Sequence, residues 1–250
     1  MTRQRILITG ASSGLGAEMA RQFAALGRDL ALCARRTERL DALREELSAR
    51  HPAGRIAVRQ LDVDDHDAVF RVFAELADDL GGLDRVIVNA GLGKGARIGT
   101  GRFDANRETA MTNFVAALAQ CEAAMQHFRA ANAGHLVVIS SMSAHRGLPR
   151  TLTTYAASKA GVASLAEGIR MDVIDTPIAV TTLFPGYIAS EMSAGTEQST
   201  PLMVSTEKGV RAMVRAIERE LAQTAVPPWP WKPLGVVLRF APARVVRRFS

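Results

Sequence analysis

In "TTYAASKAGV" (153–162), Tyr155 and Lys159 stand four positions apart. On a helix that spacing puts both on one face, a turn apart. A free phenol has a pKa of about 10, too high for easy proton exchange at neutral pH. A neighbouring ammonium favours the phenolate and brings it closer. The small residues between the pair leave room for larger molecules on that face. An amphipathic helix also produces Tyr-x-x-x-Lys by accident, so the pair needs companions.

Three serines, Ser140, Ser141 and Ser143, follow the apolar run "GHLVVI" and precede the pair. Further upstream, "ITGASSGLG" places Gly10, Gly14 and Gly16 between a strand-like run and a helical one. Glycines there permit positive φ and close backbone approach, and a helix start offers free N–H groups and a positive dipole end to a pyrophosphate. Ser12 and Ser13 add hydroxyl donors. After the second strand-like run comes "LCARRTERL". A site for NAD(H) places a carboxylate there, on the ribose 2′-hydroxyl. This chain has neutral Ala34 followed by Arg35 and Arg36, which suits the 2′-phosphate of NADP(H).

The elements that must position these residues alternate. Strand patterns fall at 5–9, 29–34, 55–61, 84–89, 134–140 and 178–184, with a weak one at 223–226. Helical patterns lie at 14–26, 37–50, 66–80, 108–131, 154–174 and 206–222. The strands are nearly continuous apolar runs, as strands buried on both faces should be. The expectation is a single Rossmann-type α/β domain with a doubly wound parallel sheet of about seven strands and helices on both faces. Its 250 residues, 48% hydrophobic, supply one sizeable core.

These pieces together resemble the short-chain dehydrogenase/reductase family, over roughly residues 5–223. The resemblance implies that "TGASSGLG" (9–16), with Leu15, is the dinucleotide turn. It implies that "LDV" sets Asp62 near the adenine amino group and Val63 against the ring, and that "NAG" (Asn89, Ala90, Gly91) ends the fourth strand beside the cofactor. Asn113 matches the family's active-site asparagine, which would hold a water linking Lys159 to solvent. Tyr155 becomes the proton donor to a carbonyl oxygen, and Lys159 also holds the nicotinamide ribose. In "PGYIASEM", Pro185, Gly186, Ile188 and Ser190 would line the nicotinamide. The family's catalytic serine is the second of an "SS" pair, here Ser141, one residue further from the tyrosine than is usual. Ser143 is the alternative, and Ser140 reads as a capping or core-facing hydroxyl. The implied activity interconverts a carbonyl and an alcohol on a small or lipophilic substrate with NADP(H), in a homodimer or homotetramer. Pairing would use the helices near 108–131 and 154–174, with Ala117 and Gln120 on the outer face.

Residues 1–226 then form the dinucleotide-binding and catalytic domain with a lid near 186–206, and 227–250 a Pro/Trp/Arg-rich tail. "PPWPWKPLG" predicts an extended, rigid segment, since proline lacks the helical donor. Its Trp229 and Trp231, with the following arginines, suit either packing on a subunit or a peripheral contact with anionic membrane. No apolar run reaches the ~18 residues of a spanning helix, and the start leaves no space for a signal peptide, so a cytoplasmic setting is expected. Cys33 and Cys121 read as small core residues. The histidines share no metal-ligand spacing, and His145 reads as an exposed loop residue or a pocket-lining one. Two other classes stay open: a catalytically silent dinucleotide sensor, and a nucleic-acid binder suggested by the net charge of +6. The second lacks an aromatic-interleaved basic stripe.

Overall fold

The computed structural model describes residues 3–93, 95–189, 191 and 202–249. Seven parallel strands form one sheet, in the order β3-β2-β1-β4-β5-β6-β7. They are β1 Arg5–Thr9, β2 Asp29–Ala34, β3 Ile56–Gln60, β4 Arg85–Val88, β5 Gly134–Ile139, β6 Ile178–Pro185 and β7 Gln223–Val226. The helices are α1 Gly14–Ala25, α2 Thr37–Arg50, α3 His66–Leu80, α4 Phe103–Ala110, α5 Ala116–Ala131, α6 Thr153–Asp172, α7 Thr206–Glu218, α8 Pro228–Phe240 and α9 Ala243–Phe249. The chain builds outward from β1 through β2 to β3, then returns to the other side of β1 with β4. Strand order therefore reverses between β1 and β4, which opens a crevice beyond their carboxyl ends.

Alternation along the strands divides the core. Leu7, Val86, Val88, Leu136 and Val138 face α3, α5 and α6, where Phe73 and Phe128 are fully buried. Ile6, Ile8, Ile87, Val137 and Ile139 face α1, α2 and α7, with Phe23 and Met213. Cys33 and Cys121 are free and buried, and burial pushes both thiols up to about 12.

Three expectations change. The helix expected at 108–131 begins at Phe103 and contains a π-helical turn, Met111–Val115, in which the Ala116 N–H reaches the Met111 carbonyl. Ala117 and Gln120, expected outside, are 3% and 0% exposed. The π turn adds one residue, about 100° of rotation, so a single helical wheel cannot describe both halves. The tail is helical rather than extended. Pro228, Pro230 and Pro233 lie in its first half, and the backbone is non-helical only at Trp229. Pro228 stands at the helix start, where a missing donor costs least; Pro233 lies inside the helix, and "LGVVLRF" continues it.

At the opposite end of the sheet lies a buried ionic cluster. Arg85, 1% exposed, donates from Nε to His135 Nδ1 at 2.9 Å and pairs with Glu218, which also pairs with Arg28 at 2.6 Å. His135 Nδ1 accepts from Arg85, so its proton sits on Nε2 and points at Thr181 Oγ1, 2.8 Å away. Burial, then the nearby Arg85 and Arg3, hold His135 well below its ordinary pKa. The neutral ring makes no ion pair with Glu220, 3.8 Å distant. A histidine depressed in the fold contributes stability above its unfolded pKa of about 6.5 and loses it as pH falls. Thermal and urea unfolding between pH 7 and 5 should therefore show wild type losing about 1.4 kcal/mol more per pH unit below 6 than His135→Gln. Equal slopes would mean that His135 is not held neutral.

Candidate active site

The crevice is built from the turn after β1, the end of β4 and the start of α6. Gly10 has φ +64°. A Cβ on Gly16 would collide with the Gly10 carbonyl oxygen and lie 2.8 Å from Asn89 Nδ2. The turn is thus packed directly on the end of β4. Thr9, fully buried, ties them: its hydroxyl oxygen accepts from the N–H groups of Asn89 (3.0 Å) and Ala90 (3.1 Å). Asn89 Nδ2 donates back to the Thr9 carbonyl at 2.9 Å. Sequence reading missed Thr9, although a hydroxyl closing an otherwise aliphatic strand was its signal.

Ser13 precedes α1 in an extended conformation and makes no side-chain cap, and the first turn holds no acid. The helix therefore keeps N–H donors for an anion. Arg36 donates from Nε to Ser12 Oγ at 3.2 Å and from Nη2 to Ser13 Oγ at 2.6 Å. Arg35 is exposed, and its carbonyl accepts from Gln60. Arg39, in the first turn of α2 and absent from the expected set, joins Arg36 on the carboxylate of Glu191. Bonds from Arg39, Arg36 and Ser13 hold that carboxyl below the ordinary range. Two arginines and two serines beside a turn packed close at Gly10 and Gly16 fit a dinucleotide.

Asp62 is exposed and caps the Asp64 N–H at 3.2 Å, while Val63 is buried. Ala90 and Gly91 are partly exposed. Pro185 ends β6, and the Gly186 N–H donates to Val226. Ile188 is buried in the α1–α2–α7 core, which Leu15 also packs against. Ser190 lies outside the described residues.

α6 carries the reacting pair. The Lys159 ammonium, 6% exposed, donates to the Ile139 carbonyl at 2.9 Å. Ser140 Oγ, 3% exposed, donates back to the Lys159 carbonyl at 2.8 Å. This exchange locks α6 to β5. Burial pushes Lys159 down to about 8. Its Nζ stands 6.0 Å from the Tyr155 ring centroid. Contrary to the expectation of a lowered phenol, burial raises Tyr155, and a hydrogen-bond interaction with Ser141 opposes the rise. The ammonium faces the ring and is bonded to a carbonyl, so its effect on the hydroxyl is weak.

Both the Ser143 N–H (3.2 Å) and the Ser143 hydroxyl (2.9 Å) donate to Ser141 Oγ. Ser141 consequently has its own proton to give, and Ser143 spends its proton on Ser141. Asn113, 1% exposed and set on the π turn, clamps Leu92: Oδ1 accepts the Leu92 N–H at 2.7 Å and Nδ2 donates to its carbonyl at 2.8 Å. His145 is half-buried against the Phe184 ring, centroids 4.7 Å apart, and is not an exposed loop residue.

The family model for short chain dehydrogenase matches residues 4–201. An uncharacterized oxidoreductase of Mycobacterium tuberculosis is 58% identical over 250 residues, covering 100% of this chain and 98% of that protein. Among solved structures, a short-chain dehydrogenase from Sphingobium yanoikuyae in complex with NADPH is 27% identical with TM-score 0.82, over 94% of this chain and 93% of that one. An alcohol dehydrogenase from the archaeon Thermococcus sibiricus complexed with 5-hydroxy-NADP, 23% identical with TM-score 0.79, covers 89% and 95% and shares the fold.

The Thr9 knot is open to test. Thr9→Val keeps the shape of the side chain but strands two N–H groups, each worth about 1–3 kcal/mol when buried and unsatisfied. Urea unfolding should show a loss of about 2 kcal/mol or more. A loss under ~0.5 kcal/mol would mean that the hydroxyl does not hold the β4 end.

Proposed function

The chain belongs to the short-chain dehydrogenase/reductase family of oxidoreductases, and from that premise we propose an NADP(H)-dependent interconversion of a carbonyl and an alcohol. A bound nicotinamide dinucleotide supplies or accepts the hydride. The chain's own residues do the rest. Gly10, Gly14 and Gly16 let the turn approach the diphosphate, and the open start of α1 donates to it. Arg36 and Arg39 take the 2′-phosphate. Glu191 is their partner otherwise, so cofactor and carboxylate compete for the same two guanidinium groups.

Ser141 donates a hydrogen bond to the substrate oxygen, its orientation fixed by the two donors of Ser143. Tyr155 gives that oxygen a proton in reduction and takes it back in oxidation. Burial raises the phenol, so at neutral pH it carries the proton that reduction requires. Lys159 is anchored on the Ile139 carbonyl, with its Nζ over the face of the Tyr155 ring. The observation that carries the reading is the convergence of Ser141, Tyr155 and Lys159 at the end of β5, next to the glycine cradle.

Tyr155→Phe should lower turnover of a model ketone by about 100-fold or more, the usual contribution of a positioned acid, while NADPH still binds. Turnover near the wild-type rate would overturn the proton-donor assignment. For the cofactor, each charge-assisted bond lost is worth ~1.5–3 kcal/mol. Arg36→Ala with Arg39→Ala should raise the NADPH dissociation constant by about 100-fold or more and that of NADH far less. Glu191→Gln should tighten NADPH. Equal weakening of both cofactors would refute the 2′-phosphate role.

A further inference from the structure

The inner face of α8 is spent on the active-site rim. Trp231, 8% exposed, lies against Gly186 and meets the Tyr187 ring edge-on at 5.3 Å. Gly235 lets the helix rest on Met142 and His145, directly after Ser141. Arg146, from the same loop, donates to the carbonyls of Arg239 (3.2 Å) and Ala241 (2.5 Å) and so caps the helix end. The helix is thereby fixed at both ends to the segments that frame the site.

Its outer face is apolar as well. Pro233, Val236, Val237 and Phe240 recur at i, i+3, i+4 and i+7, one stripe of a helix, and all are exposed. Val236 and Val237 are each 61% exposed and Phe240 76%, with Trp229 at 79% just before them. A contiguous apolar surface of this kind marks a contact site. The charge beside it identifies the partner. Residues 221–250 contain no Asp or Glu, and Lys232, Arg239, Arg244 and Arg247 are exposed around the stripe. A second copy seated symmetrically on this face would set cations against cations. An anionic bilayer satisfies both features, since apolar groups enter the acyl boundary and cations meet headgroup phosphates.

We propose that α8 and α9 form a monotopic docking face for anionic lipid bilayers, which holds the rim of the active site against the membrane. On the proposed reaction, a step that rests on the reading above, the substrate is then a lipophilic carbonyl or alcohol dissolved in the bilayer. The docking itself is read without cofactor or substrate, so its failure is separable from a failure of the enzymatic assignment.

Full-length protein should co-sediment with phosphatidylglycerol/phosphatidylcholine vesicles at low salt, more weakly at high salt, and poorly with phosphatidylcholine alone. Val236→Ser, Val237→Ser and Phe240→Ser together should cut partitioning by about tenfold or more without moving the melting temperature, since all three positions are exposed. Lys232→Gln with Arg239→Gln should reduce the preference for phosphatidylglycerol. Three results would overturn the proposal: no pelleting of wild type with anionic vesicles at low salt, unchanged pelleting of the triple-serine variant, or a wild-type oligomer in sedimentation equilibrium that the triple-serine variant dissociates. The last would identify a second copy as the occupant.

Discussion

Burying the Lys159 ammonium at the carboxyl end of β5 constrains everything around it. A charge taken out of water needs an acceptor close at hand, and the Ile139 carbonyl is that acceptor. The acceptor is free because β5 ends there. The Ser140 hydroxyl returns a bond to the Lys159 carbonyl, so helix and strand hold each other through two polar contacts in an apolar setting. Ser141 and Tyr155 sit one step beyond these contacts, on each side. Their approach follows from the lock, and a hydrogen-bond interaction joins them directly.

Most of this arrangement was legible in the chain. Strand and helix runs stood out because doubly buried parallel strands leave long apolar stretches, and most observed ends fall within a residue or two of the expected ones. The glycine turn and the Tyr-x-x-x-Lys pair were readable because their spacing is local. What escaped was set by distant partners. Arg39 became part of the site only through Glu191, which lies far along the chain. Thr9 is one hydroxyl among aliphatic neighbours, and its two N–H partners, Asn89 and Ala90, directly follow β4. The π turn at Met111–Val115 has no signature in residue type, yet it changes which faces of α5 are buried. The tail was misread because every proline was weighed as a helix breaker, although Pro228 stands at the helix start and the helix runs on through Pro233.

The electrostatics of the two sheet ends differ in kind. At the amino ends of the strands, Arg85, Glu218, Arg28 and a neutral His135 form a closed set. That set can only lose by taking up a proton. At the carboxyl ends the partners are exchangeable: Arg36 and Arg39 bond a carboxylate whose side chain is 55% exposed. An exposed ion pair contributes little to stability. The ion pairs at the amino ends are thus largely buried, and those at the carboxyl ends largely exposed.

The two tryptophans, Trp229 and Trp231, are the only ones in the chain, and α8 gives them opposite surroundings. One indole is packed under the loop that follows β6, and the other stands in solvent two positions away. Their emission therefore carries two separate signals without any attached dye. Aqueous quenchers should reach Trp229 first, and rearrangement of the Gly186–Tyr187 segment should be felt by Trp231. The helix serves as a built-in pair of optical reporters, one for the interior of the rim and one for whatever surface the rim meets.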